Sequence, residues 1–370
     1  MGQDAGGKGK AFLNRFVQQT DQGNEEEMIT LMRRLQYHYS EELLEPNEEI
    51  KKETLLKVIK QATNSAPGPD GVKYTDLKAL DDQDMQKLTE MLNKSLEEHS
   101  IPDDWLDSHL APVPKPNKDR TSIKGYRIVT MQNTVGKLLE KMVARRLANQ
   151  LENDNLLPST LGSYRRGKDT WANAAVLASD VYDAFERKEE TLVVALDLED
   201  AYNRVDYRIL MRTLFNMKID PYIILWIGNA LLKRKVALRV GPWTSEVRTI
   251  TPGLPQGSAL SPVLFNVYTV GITSNQLEGP GRTLSFADDV LAYHLKSGVK
   301  RTKARYIQIR PAYYGAASTT MLSKPRCHQC SLTVKSFSES ATYHTWEYFS
   351  TEVSVAATIS ARPSSKQGKV

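Results

Sequence analysis

Apolar positions recur at helical spacing in several parts of the chain. Met85, Leu88, Met91, Leu92 and Leu96 predict an amphipathic helix over 82–99. Val135, Leu138, Leu139, Met142, Val143 and Leu147 predict another over 133–150, with Lys137, Lys141, Arg145 and Arg146 on its other side. Trp171, Ala174, Ala178, Val181 and Phe185 form the stripe of a third over 170–187. Residues 27–62 read as helix with a break at Pro46, and 206–232 as two helices split at Pro221. The run TLVVALD (191–197) is short, β-branched and bounded by charge, so it predicts a buried strand ending in Asp197. Residues 235–240 and 245–250 predict a hairpin around Gly241 and Pro242. Residues 283–287 and 290–294 predict two strands flanking Asp288 and Asp289. The APVPKP run (111–116) excludes a central strand, because Pro brings no ladder donor. Residues 1–26, rich in Gly, Gln and Asp without a period, read as a loose arm. Separate helices and strands together argue an α+β fold.

Composition narrows the class. The chain has 370 residues, 40% hydrophobic and 25% charged, enough for packed cores and too apolar for wholesale disorder. No apolar run approaches the ~20 residues of a bilayer span. The N-terminus carries no apolar stretch of a secretory signal. The expected location is therefore intracellular, nucleus or cytoplasm, neither secreted nor in a membrane. The only cysteines, Cys327 and Cys330, exclude a disulfide scaffold, and one CxxC lacks the second pair of a closed zinc site. Charge is unevenly spread. Residues 295–370 hold 12 Lys/Arg against 3 Glu and no Asp, a net +9, which leaves −4 for residues 1–294.

Carboxylates at the ends of apolar strands bear on chemistry, because a water-excluded Asp is costly unless paired or bound to a cation. Asp197 closes one such strand, and Asp288 and Asp289 sit between two others. If those strands are neighbours, three oxygen donors converge, a set suited to Mg²⁺. Two such ions about 3.5–4 Å apart support phosphoryl transfer. The plain alternative is a strand-end cap and an ordinary acidic turn.

The combination resembles a known family. LDLEDAYNRV (196–205), TPGLPQGSALSPVLFNVY (251–268) and SFADDVLAYH (285–294), in that order, are similar to three palm motifs of reverse transcriptases. SAPGPDG (65–71), VPKP (113–116), YRIV (126–129), NTVGKLLEKMVARRL (133–147) and LGSYRRGKDTWANA (161–174) resemble the finger region of non-LTR retrotransposon enzymes, of which the jockey-like elements look nearest. The resemblance implies a right-hand polymerase fold with fingers over 46–190 and a palm over 191–294, preceded by a flexible or helical arm over 1–45. It implies RNA-directed DNA synthesis from an RNA template, a DNA primer and dNTPs, with two Mg²⁺ ions (Mn²⁺ as substitute). Asp197, Asp288 and Asp289 match the catalytic, metal-binding acids. Tyr202 matches the ring that screens the sugar 2′ side. Gln256, Gly257 and Ser258 match the loop near template and nucleotide. Lys115 and Arg127 match the basic residues that hold the triphosphate, a point charge and a planar fork.

Some positions depart from the family pattern. Asn203 replaces a usual second Asp, no Pro follows Arg127 closely, and Leu161 and Ser163 replace Gln and Gly. Residues 295–370 hold 20 Ser/Thr and show neither a primer-gripping hairpin nor a helical thumb. They are expected to be a disordered or frameshifted basic tail, with the family pattern truncated after the Asp-Asp motif and processive synthesis weak or lost. Rival readings are a non-catalytic nucleic-acid-binding remnant, or a group II intron-like or domesticated reverse transcriptase.

Overall fold

The computed structural model describes residues 5–16, 22–41, 48–198, 201–249, 253–274, 280–296, 333–335 and 351–359. In chain order the elements are α1 (Ala5–Phe16), α2 (Gln22–Ser40), α3 (Lys52–Gln61), α4 (Tyr74–Lys78), α5 (Asp82–Glu97), α6 (Asp103–Leu106), β1 (Asp107–Pro114), β2 (Tyr126–Gln132) and α7 (Thr134–Asn153). Then come α8 (Thr170–Glu186), β3 (Glu190–Leu198), α9 (Tyr207–Asn216), α10 (Pro221–Leu232), β4 (Lys235–Val240), β5 (Trp243–Thr244) and β6 (Arg248–Thr249). The last are α11 (Ser261–Ser274), β7 (Gly281–Phe286), β8 (Asp289–Lys296), β9 (Thr333–Lys335) and β10 (Thr351–Ile359). Helices and largely antiparallel sheets coexist, an α+β fold.

The chain divides into two compact units, each discontinuous in sequence. One comprises Met1–Asp154 with Tyr202–Phe265, the other Asn155–Ala201 with Asn266–Val370. The sequence reading cut the chain linearly. The interleaving arises because β3 pairs with β8, so the intervening segment 202–265 leaves the second unit and returns to it.

In the first unit the sheet runs β2-β1-β4-β5, with β6 also on β4. β1 pairs with β4 only over Asp107–Leu110, whereas Pro112 and Pro114 lie where β2 is the sole neighbour. The exclusion of the Pro run from a central strand agrees with this: those prolines sit in a strand, but in the half with a free side, where a missing N–H breaks no second ladder. The loose-arm reading of 1–26 is corrected. Phe12 and Leu13 of α1 are buried against Leu110, Ile128, Val236 and Leu238, and Phe12 meets Tyr126 edge to face at 5.0 Å. Gly9 permits this docking, since a Cβ there would lie 2.3 Å from the Trp243 ring.

In the second unit the sheet runs β7-β8-β3-β10-β9. β3 and β8 pair in antiparallel register from Glu190↔Lys296 to Asp197↔Asp289. α8 packs on β3, β7 and β8, by a face that coincides with the expected stripe only in part. Val181 and Ala184 are buried and Val176 and Leu177 pack beside them, while Trp171 is 80% exposed and Ala174 and Ala178 face solvent. Asp180 fixes that face, accepting from Tyr293 Oη at 2.6 Å and Arg282 Nε at 2.8 Å. Within 295–370 the sequence reading anticipated no regular element, yet β10 pairs antiparallel with β3 from Thr351↔Leu198 to Ile359↔Thr191. Its sequence alternates Val353, Val355, Ala357 and Ile359, the period-two pattern of a strand.

Candidate functional site

The backbone positions of Asp197, Asp288 and Asp289 fall at one end of the second sheet. β3 ends one residue after Asp197, which stands directly opposite Asp289 in backbone register. β7 and β8 are joined by the two-residue turn Ala287–Asp288, and Leu198 N–H donates to the Asp288 carbonyl at 3.4 Å. Asp288 is therefore held beside the end of β3. Ala287 keeps φ +56, a left-handed conformation that an L-residue adopts at a cost of about 1–2 kcal/mol. Strain of that kind persists where the surroundings over-determine the chain. The Asp289 carboxyl is held above the ordinary carboxylate range, first by lost hydration and then by the Asp288 carboxylate. Clustered carboxylates are the kind of oxygen donors that hard divalent cations take. Among the described residues no three His, Cys, Asp or Glu side chains cluster tightly enough to hold an ion, and the side chain of Asp197 lies outside them.

The segment LGSYRRG backs onto the other edge of β7. Leu161 bridges to Ser285, Gly162 N–H donates to Ser285 O at 2.9 Å, and Asn173 Nδ2 donates to the same carbonyl at 3.1 Å. Ser163, one of the departures from the family pattern, exchanges two buried hydrogen bonds with Asn266, each 2.8 Å. The hydroxyl thus joins two motifs that are far apart in sequence.

The other six expected site residues belong to the first unit. Tyr202 lies in a 3-10 turn (Ala201–Arg204) and stacks on Phe265, centroids 4.9 Å apart and planes 11° apart. Its carbonyl accepts Leu254 N–H at 2.8 Å, which ties the ring to the Gly253–Ser258 loop. Gln256 O accepts Thr130 N–H at 2.7 Å on the outer edge of β2. Gly257 holds φ +106, and a Cβ there would lie 3.2 Å from Thr130 O. Arg127 is exposed on β2, on the same face as Val129 beneath that loop. Lys115 lies one step past β1, its N–H donating to Gly125 O at 2.7 Å, diagonal to Arg127 across the hairpin. These positions bring Lys115, Arg127 and the Gln256–Ser258 turn onto one strand pair.

Residues 113–306 match the family described as "Reverse transcriptase (RNA-dependent DNA polymerase)". The chain belongs to the reverse transcriptase family. It is similar to the "Probable RNA-directed DNA polymerase from transposon BS" of Drosophila melanogaster, 28% identical over 251 residues, covering 66% of this chain and 28% of that protein. The "RNA-directed DNA polymerase from mobile element jockey" of the same species is 25% identical over 211 residues, 57% of this chain and 23% of that protein. A "Retrovirus-related Pol polyprotein from type-1 retrotransposable element R2" of Popillia japonica is 27% identical over 253 residues, 65% and 34% respectively. The match spans between about a quarter and a third of these curated relatives, and it is to the reverse transcriptase domain of non-LTR retrotransposons. Reverse transcriptases as a family work with divalent metal ions.

Lys137, Lys141, Arg145 and Arg146 lie on α7, where cations can either face solvent or contact a phosphate backbone. In this reverse transcriptase chain three of these four cations have local partners. Lys137 Nζ donates to Ala66 O at 2.7 Å, Arg146 donates to Glu48 O, and Lys141 Nζ stands 5.4 Å from the centre of the Tyr74 ring. They clamp the SAPGPDG loop and its neighbours onto α7. The residues missed altogether are buried. Arg234 donates to Gly253 O at 2.7 Å and to Tyr207 Oη at 2.9 Å, and Tyr207 Oη donates to Gly253 O in turn. Glu140 is 7% exposed on the inner face of α7. Its signal was available: a carboxylate at helical spacing from Gly136, Val143 and Leu147, inside the apolar stripe. Cys327 and Cys330 lie outside the described residues. No described helix is long and apolar enough to cross a membrane.

Proposed function

We propose that the chain carries out RNA-directed DNA synthesis by nucleotidyl transfer, with Asp197, Asp288 and Asp289 holding two Mg²⁺ ions. The observation that carries the reading is the register of Asp197 opposite Asp289, with Asp288 in the adjoining turn. Ions held there would favour ionisation of the attacking primer hydroxyl and stabilise the leaving oxygen. In this reading the second unit's sheet is the core of a palm, and the β1–β2 hairpin belongs to the fingers. Lys115 and Arg127 bind triphosphate oxygens of the incoming dNTP. The backbone at Gly257, free of a side chain, lets the base pair approach. Tyr202, braced by Phe265, fills the space a ribose 2′-hydroxyl would need. The macromolecular partners are an RNA template and a DNA primer, and the site of action is intracellular.

The test is Asp288→Asn. Mn²⁺ binding followed by electron paramagnetic resonance, and Mg²⁺-dependent incorporation of dNTPs on a primed RNA template, should both fall at least tenfold with the fold retained by circular dichroism. Ion binding and incorporation at the unsubstituted level in that variant would overturn the assignment.

A further inference from the structure

A buried junction lies behind the Gln256–Ser258 turn. Glu140 of α7, Gln132 at the end of β2 and Ser258 are 7%, 5% and 6% exposed. Gln132 Nε2 donates to Glu140 Oε1 at 2.8 Å, and Ser258 Oγ donates to Glu140 Oε2. The direction of the second bond follows from the other partners of the hydroxyl. Ser258 Oγ already accepts Leu260 N–H at 3.0 Å and Ser261 N–H at 3.4 Å, where α11 begins. With its lone pairs engaged, the hydroxyl has only its proton left to give, and Glu140 is the acceptor. A carboxylate taken this far from water is costly, and a lost partner leaves the other buried group unsatisfied.

The same turn touches β2 at a second point, through Thr130 N–H to Gln256 O at 2.7 Å, and Arg127 stands three residues earlier on that strand. We propose that Glu140 is a positioning residue, which fixes the Gln256–Ser258 turn against β2 and so sets the distance from that turn to Arg127 for an incoming nucleotide. The inference rests on the nucleotide-binding reading above. Charge is not what the role requires. A Gln at 140 can turn its carbonyl toward Ser258 and its amide toward a flipped Gln132, which keeps every partner. An apolar side chain of similar volume cannot.

The experiment compares the unsubstituted chain with Glu140→Gln and Glu140→Leu at full length. The Leu variant preserves volume, and circular dichroism establishes that both fold. Amide exchange at Leu260 reads the Ser258 hydroxyl directly, since that N–H donates to it. Binding of Mg²⁺–dTTP is measured alongside. Glu140→Leu should accelerate exchange at Leu260 on the order of tenfold, leave α5 and α10 unchanged, and weaken dTTP binding by a similar factor. Glu140→Gln should restore both. Unaltered Leu260 exchange in Glu140→Leu overturns the proposal, as does a Gln variant as damaged as the Leu variant. If Glu140→Leu does not fold, a folded Glu140→Gln with native Leu260 exchange and native dTTP affinity supports the proposal, and one with accelerated exchange overturns it. An unsubstituted chain that binds no dTTP, with the turn still loosened by Glu140→Leu, overturns the nucleotide reading and leaves the junction standing.

Discussion

The Ala287–Asp288 turn concentrates like charge on two consecutive residues, and Asp289 carries the consequence. Its carboxyl titrates above the ordinary carboxylate range, through lost hydration and then through Asp288. In the unfolded chain that neighbour is hydrated and mobile, so the folded value exceeds the unfolded one. The folded state then holds its proton longer, and metal-free stability falls as pH rises from the unfolded value through the folded one. Asp289→Asn should remove that fall, so above the window the variant should melt higher than the unsubstituted protein in chelator. Mg²⁺ should raise the melting temperature of the unsubstituted protein and do less for the variant. Melting curves across that pH range, with and without Mg²⁺, check both, and parallel curves would count against coupling of the two acids. These acids were legible in sequence because a carboxylate closing an apolar strand is conspicuous. Glu140 was missed although its spacing from Gly136, Val143 and Leu147 puts it inside the apolar stripe, because a single acid among the Lys and Arg of α7 is easily taken for surface charge.

At the scale of elements, spacing located α5, α7 and the α9–α10 pair well, since each buries a broad apolar face. It placed the buried face of α8 only in part, at Val181, because alanines count as apolar in a pattern yet bury little, while Asn173 and Asp180 turn inward to named partners. It missed α1 because Gly6, Gly7 and Gly9 argue against helix locally. Tertiary packing overrides that propensity: the small residue at 9 lets Trp243 lie against the helix, and Phe12 fills the first sheet's core. Phe12→Ala should therefore cost about 3–5 kcal/mol, the usual range for deleting a buried aromatic ring. Urea unfolding followed by Trp fluorescence measures it. A midpoint shift worth less than ~1 kcal/mol would mean that α1 is peripheral to the sheet rather than part of its core.

At the scale of the whole chain, the charge break and the sheet topology point different ways. The two sheets belong to units woven from alternating segments, which local spacing cannot reveal because pairing such as Asp197 with Asp289 depends on chain return over 91 residues. Charge needs no topology to be read. Residues 1–294 carry −4 and 295–370 carry +9, so attraction to a polyanion should reside mainly in the latter stretch. Each phosphate neutralised on a single strand adds about −0.7 to the slope of log K against log salt. If about half of the 12 cations in 295–370 engage phosphates, the full chain should show a slope on the order of −4 on a short RNA. A chain ending at residue 294 should bind far more weakly, with a slope nearer zero. Phosphate contacts carry no sequence information, so this affinity should be equal for RNAs of different sequence. Fluorescence anisotropy at several salt concentrations decides it. Equal slopes for the two chains would place the phosphate contacts in residues 1–294, on local clusters such as Lys115 with Arg127, against the overall negative charge of that part.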